Sequence, residues 1–266
     1  MKTTIKVKLK PLAKACCLPG LLGVMLTFSG QTGASLIGRS IVVDGGESVA
    51  AYYDDVLDIT WLKDANYAQT SGYNLGGKMT WSQAKTWAKD LTLGGYTNWR
   101  LPEIRAVNPE GLNYILTFDG STDLGYNSTS VTHEMAYMFT VNLGLESAFN
   151  TDSTQNANWT NYVTGDEVNT AILGNNVEID NLKSYKYWYG QDRSWTSGGS
   201  GGWAFNANNG YQFTEGKDAY NYAWLVHDGD IGEPVVHEVP EPGSLVLFGF
   251  TIIALASRRS IFNARR

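Results

Sequence analysis

Residues 94–103 read GGYTNWRLPE and follow directly on the stretch 80–91, TWSQAKTWAKDL. In the upstream stretch Trp81, Ala84, Trp87, Ala88 and Leu91 recur at helical steps, which makes one face apolar. Thr80 and Gln83 stand at capping-box spacing at its start. Lys85 and Lys89 fall on the opposite face, and Gly94-Gly95 is expected to end the helix by supplying positive φ. Beyond it, Trp99 and Leu101 alternate as inward residues of a short extended piece that Pro102 terminates. Arg100, set between two buried neighbours, is expected to pair with a carboxylate or with loop carbonyls. Glu103 then opens a short helix over 103–107.

Upstream, 41–53 reads as two short strands around a Gly45-Gly46 turn, and 54–62 as a further strand with Val56, Ile59 and Trp61 competing for the inward face. Asp54, Asp55 and Asp58 read as a solvated turn, with a cation site as the alternative. Downstream, 112–118 and 132–143 are helical candidates. His133 beside Glu134 reads as a helix-start pair; no second histidine stands four residues away, so a zincin-type site is absent. The region 149–181 is rich in Asn, Asp and Thr, and long loops of this kind are usually functional or mobile. Short strands are expected at 187–189, 203–206, 211–213 and 222–227. SGGSGG at 197–202 reads as a flexible hairpin loop, not a phosphate loop, because no Lys-Ser or Lys-Thr follows.

The Trp-bearing helix followed by Trp99-Arg100-Leu101-Pro102, with VLDITWL upstream and YWYG and YAWLVHDGD downstream, resembles the Lcl C-terminal domain family. That resemblance runs from about Tyr53 to Ile231. It implies an α+β, C-type lectin-like domain with short twisted strands, two or more helices and long loops. Sugar recognition by such domains combines an exposed ring with amide and carboxylate hydrogen bonds. Trp159, Asn161, Asp166 and Glu167 carry that chemistry and are the candidate ligand-binding residues. Calcium would need six to eight oxygen ligands. The Asn108-Pro109-Glu110 and Trp159-Thr160-Asn161 triplets match none of the calcium-dependent lectin motifs, so no cofactor is expected, with calcium as the alternative that no motif supports.

The two ends of the chain have a different character. Residues 1–34 read as a secretory signal peptide: five lysines precede residue 15, an apolar run covers 18–28, and small residues place cleavage after Ala34. Both cysteines, Cys16 and Cys17, lie in this segment, so the mature domain has no thiol nucleophile, disulfide or cysteine metal site. At the other end, 239–259 reads VPEPGSLVLFGFTIIALASRR. Pro240 and Pro242 hold Glu241 extended, 245–256 carries no charge, and Arg258-Arg259 form a cytoplasmic stop. The order of these three features resembles the PEP-CTERM sorting signal, which implies cleavage by an exosortase during a transient crossing of the inner membrane. Residues 232–238 form the linker into it and 260–266 a basic tail.

Of the 20 Lys and Arg, 11 lie within 36–239, against 25 of the 26 Asp and Glu. The mature domain of about 205 residues, enough for one sizeable core, therefore carries a net charge near −14, where the whole chain carries −6. Such a field repels nucleic acid and anionic lipid. The expectation is a non-enzymatic binding module for glycan or exopolysaccharide, at the cell surface or in the extracellular matrix of a Gram-negative bacterium. A polysaccharide-acting enzyme with a carboxylate pair, or a matrix protein with a protein partner, are the alternatives.

Overall fold

In the computed structural model the described residues are 36–194 and 200–235. The chain divides into two units, Met1–Thr32 and Gly33–Arg266, and the described residues all belong to the second. The signal peptide with Ala34, the basic tail, and the sorting residues Pro240, Glu241, Pro242, Arg258 and Arg259 lie outside the described residues.

The fold is α+β, with most of its regular structure in strands. The strands β1 (Leu36–Val42) and β2 (Ser48–Asp54) form the expected hairpin, with Gly45 and Gly46 both at positive φ in its turn. β3 (Ile59–Leu62) pairs antiparallel with β2. Two helices follow, α1 (Tyr67–Thr70) and α2 (Trp81–Asp90), then β4 (Leu116–Thr117) and β5 (Leu124–Gly125). The helix α3 (Glu134–Tyr137) runs into a π-turn over Met138–Asn142. Within 149–181 a 3₁₀ turn at Trp159–Tyr162 precedes the small hairpin β6 (Val163–Thr164) and β7 (Glu167–Val168) and the helix α4 (Thr170–Leu173). The chain closes with β8 (Lys186–Ser194), β9 (Ser200–Asn206), β10 (Tyr211–Gly216), β11 (Val226–Asp228) and β12 (Glu233–Pro234).

These strands build two five-stranded sheets, one ordered β11-β3-β2-β1-β12 and the other β4-β5-β10-β9-β8. Cores form on both sides of the second sheet, because alternate residues of β8 and β9 face opposite ways. Tyr187, Tyr189, Trp203 and Phe205 join one core with Trp61, Phe139 and Trp224. Trp188 and Ala204 join the other, under the apolar stripe Ala84, Trp87 and Ala88 of α2. Gly202 of β9 lies against the first residue of α2: a Cβ there would sit 2.7 Å from Trp81 Cδ1 and 3.1 Å from the Trp188 ring.

The helix α2 has the predicted capping box, with Thr80 accepting from Gln83 N–H and the Gln83 side chain accepting from Thr80 N–H. It ends at Leu91 in an extended conformation; Gly94 and Gly95 instead form the positive-φ turn that pairs Leu93 with Tyr96. Trp99 and Leu101 are buried as expected.

Several expected elements differ. Residues 103–107 form no helix, because their backbone donors are taken by partners outside the segment: Glu134 accepts from Glu103 N–H, the Thr132 carbonyl from Arg105 N–H and Asp123 from Val107 N–H. The same holds at 112–118, where Asn113 N–H also goes to Asp123 and Leu116–Thr117 pairs parallel with β5. Val56 is exposed, since Asp54 accepts from the Val56 and Leu57 amides and folds 54–57 into a tight turn. Of 222–227, only Val226 and His227 belong to a strand. Gly201 and Gly202 belong to β9, not to a loop. Glu233 and Pro234, expected in the linker, pair with Ser40 and Arg39 as an edge strand.

Candidate functional site

The Trp99-Arg100-Leu101-Pro102 segment is the origin of a charged clamp. Arg100 exchanges both backbone hydrogen bonds with Val226, adding one bridge beyond β11. Its guanidinium then donates to both Glu134 carboxylate oxygens, at 2.8 and 2.9 Å, and through Nε to Asp228 at 2.8 Å. Burial works against the charge, but Glu134 and Asp228 outweigh it and hold the Arg100 pKa above the ordinary arginine value. Glu134 is spent on this pair and on Glu103 N–H, so the clamp is structural.

His133, its sequence neighbour, points into a separate buried network. Its Nε2 lies 2.8 Å from Asp123 and its Nδ1 lies 2.7 Å from Ser128 Oγ and 3.2 Å from Gln212 Nε2. Gln212 Nε2 can only donate, which makes Nδ1 the acceptor and Nε2–H the donor to Asp123. Tyr189 OH donates to Gln212 and accepts from Ala136 N–H. Burial pushes the His133 pKa down, against the pull of Asp123. The Ser, His and Asp of a nucleophilic triad are all present, yet Ser128 is 5% exposed and Asp123 and His133 are fully buried. The serine therefore presents no oxygen to a substrate, and the network acts as a core fastener. His133 occupies the N-cap position of α3 without its side chain making a capping bond.

The acids 54, 55 and 58 do not converge. Asp54 is buried, capping its turn and accepting from Asn142, and burial raises its pKa. Asp58 accepts from Tyr53 OH. Among the described residues no group of three or more acidic or histidine side chains is placed to hold a metal ion.

The four candidate ligand residues separate into three places. Trp159, half-buried, and Asn161, exposed, lie on the 3₁₀ turn. Glu167 on β7 is paired with Lys183 at 2.5 Å and lines an open cleft of about 580 Å³ with Thr170, Asp180 and Asn181. Asp166, in the β6–β7 turn, lines another cleft of about 300 Å³ with Gln69, Lys78, Lys183, Tyr185 and Tyr222. There the Lys78 ammonium stands 3.6 Å from the Tyr185 ring centre and 5.4 Å from that of Tyr222, and the two rings meet edge to face at 5.9 Å. Among the described residues Lys78 has no carboxylate within ion-pair distance. This cleft brings a carboxylate, two ammonium groups, an amide and a half-exposed tyrosine to one opening. Of its residues only Asp166 was expected. Tyr185 heads the YKYWY run, whose alternation marks the strand β8 but not which tyrosine lies open.

No helix among the described residues is long and apolar enough to cross a membrane, and the apolar stretch 245–256 lies outside them. No curated protein matches the chain. No solved structure matches it. The model of the PEP-CTERM protein-sorting motif matches residues 238–260, just beyond the edge strand β12. The protein carries the sorting motif of exported, exosortase-processed proteins.

Proposed function

We propose that the protein is a non-enzymatic binding module, delivered by the exosortase route to the cell surface or extracellular matrix, with glycan or exopolysaccharide as its ligand. The observation that carries the ligand class is the cleft at Tyr185. A sugar offers an apolar ring face and a hydroxyl edge, and this opening offers aromatic surface beside Asp166, Gln69, Lys78 and Lys183. The Lcl C-terminal, C-type lectin-like resemblance of the passenger domain supports the same reading by analogy of fold. Lys78 and Lys183 offset the acidity of the domain at this cleft, which suits a glycan bearing carboxylates.

The test is binding of the purified protein to exopolysaccharide from its own host, followed calorimetrically. Tyr185→Ala and Lys78→Ala are each expected to weaken binding about tenfold, about 1.4 kcal/mol, with the far-UV spectrum unchanged. Equal binding by the wild type and both variants would refute the assignment to this cleft.

A further inference from the structure

Beside the cleft, three side chains, from β8, from β10 and from the segment that follows β10, stand in an arrangement that the binding reading does not use. Lys186 of β8 donates to Glu215 of β10 at 2.7 Å, and the other oxygen of the same carboxylate accepts from Asn221 Nδ2 at 2.5 Å. One carboxylate therefore bridges an amine and a primary amide. The backbone holds both ends: Tyr222 N–H donates to Lys186 O, and Asn221 exchanges both of its backbone hydrogen bonds with Met79.

Asn221 is 1% exposed, and its Oδ1 has no hydrogen-bond partner among the described residues. A buried amide oxygen left unpaired is costly and calls for an explanation. The Lys186 ammonium lies 5.5 Å from the Phe213 ring centre and 6.0 Å from that of Tyr185, and the Glu215 side chain between the amine and the buried amide is 16% exposed. The mature domain is also exported without cysteine, which leaves it no disulfide to cross-link its strands.

We propose that Lys186 and Asn221 form an intramolecular isopeptide bond, promoted by Glu215. A proton first passes from Lys186 Nζ to Glu215, leaving a free amine and a carboxylic acid. Nζ then attacks Asn221 Cγ, and the Nζ–Cγ bond forms. The Cγ–Nδ2 bond breaks as Glu215 passes that proton to Nδ2, and Glu215 then takes the second proton from Nζ and hands it to the departing ammonia. The products are a secondary amide and an ammonium ion; Glu215 returns to its carboxylate form and nothing is oxidised or reduced. The bond closes a covalent loop from 186 to 221 that contains β8, β9 and β10.

The experiment is intact-mass measurement and peptide mapping of the full-length chain, wild type and Glu215→Gln, with Lys186→Arg as a third sample that keeps a cation beside the carboxylate. The wild type is expected to be lighter than its sequence by one ammonia, with a branched peptide joining Lys186 to Asn221. Both variants are expected at full sequence mass, with circular dichroism matching the wild type. The proposal is overturned if wild-type protein yields unmodified Lys186 and Asn221 peptides. It is equally overturned if the ammonia loss maps elsewhere, such as Asn209-Gly210, or if Glu215→Gln cross-links as fully as the wild type.

Discussion

Replacing Arg100 with methionine keeps the length and apolar stem of the side chain while removing the charge that the clamp is built on. The Glu134 side chain is 5% exposed and would retain only the Glu103 amide as partner, so a nearly buried carboxylate loses its counter-charge. Breaking a buried ion pair from one side costs about 3–5 kcal/mol. The Asp228 arm contributes little of this, because that side chain is 74% exposed, and an exposed pair is worth about 0–1 kcal/mol. Urea unfolding of Arg100→Met at neutral pH should therefore show a loss of about 3–5 kcal/mol. At about 2–4 °C per kcal/mol for a domain of this size, the melting temperature should drop by about 6–20 °C. Asp228→Asn should lose less than about 1 kcal/mol. If the two variants lose equal stability, or if Arg100→Met unfolds at the wild-type midpoint, the clamp does not hold the fold as described.

Three further outcomes follow from the geometry. His133 is held below the ordinary histidine value of 6.5, so the unfolded chain binds the proton more tightly. Its contribution to stability is complete above that value and is lost as pH falls from it through the depressed folded pKa. Urea midpoints taken from about pH 8 down to about pH 5 should fall more steeply in the wild type than in His133→Gln, and parallel curves would contradict this. Gly202→Ala forces a Cβ against Trp81 and Trp188; thermal unfolding should register a loss of about 1–3 kcal/mol. Thr80→Ala removes the cap of α2 and should lose about 1 kcal/mol in the same assay.

Much of the local structure was legible in the sequence because it is locally determined. The capping box and apolar stripe of α2 and the Gly45-Gly46 hairpin need only neighbouring residues. The burial of Trp99 and Leu101 follows from alternation, and the same alternation obliges Arg100 to find a carboxylate. Which carboxylates it finds was not legible, since Glu134 and Asp228 lie 34 and 128 residues away. The missed strands have the same origin. Residues 103–107 and 112–118 each read as a short helix, yet the buried carboxylates of Glu134 and Asp123 take the amides of Glu103, Val107 and Asn113, and no local pattern announces that.

The candidate site shows a similar division. Asp166 and Glu167 are adjacent in sequence, but a two-residue turn sends them into different clefts, and Trp159 lines neither. Lys78, Lys183 and Tyr185 are brought to Asp166 by pairings between distant segments, such as Glu167 with Lys183. Composition could name the chemistry of a sugar site; only the topology could say which rings and acids share an opening. The sorting motif needed no such information, because its order of proline pair, apolar run and arginine pair is read along the chain.

The measurement that bears most directly on the whole account is the intact mass of the protein recovered from the cell surface and medium, in cells with and without their exosortase. A mature species beginning near Leu36 and ending between Pro240 and Gly243, present only when exosortase is active, is the predicted result. Retention of Arg266 in both strains would contradict it and make the C-terminal segment a plain membrane anchor.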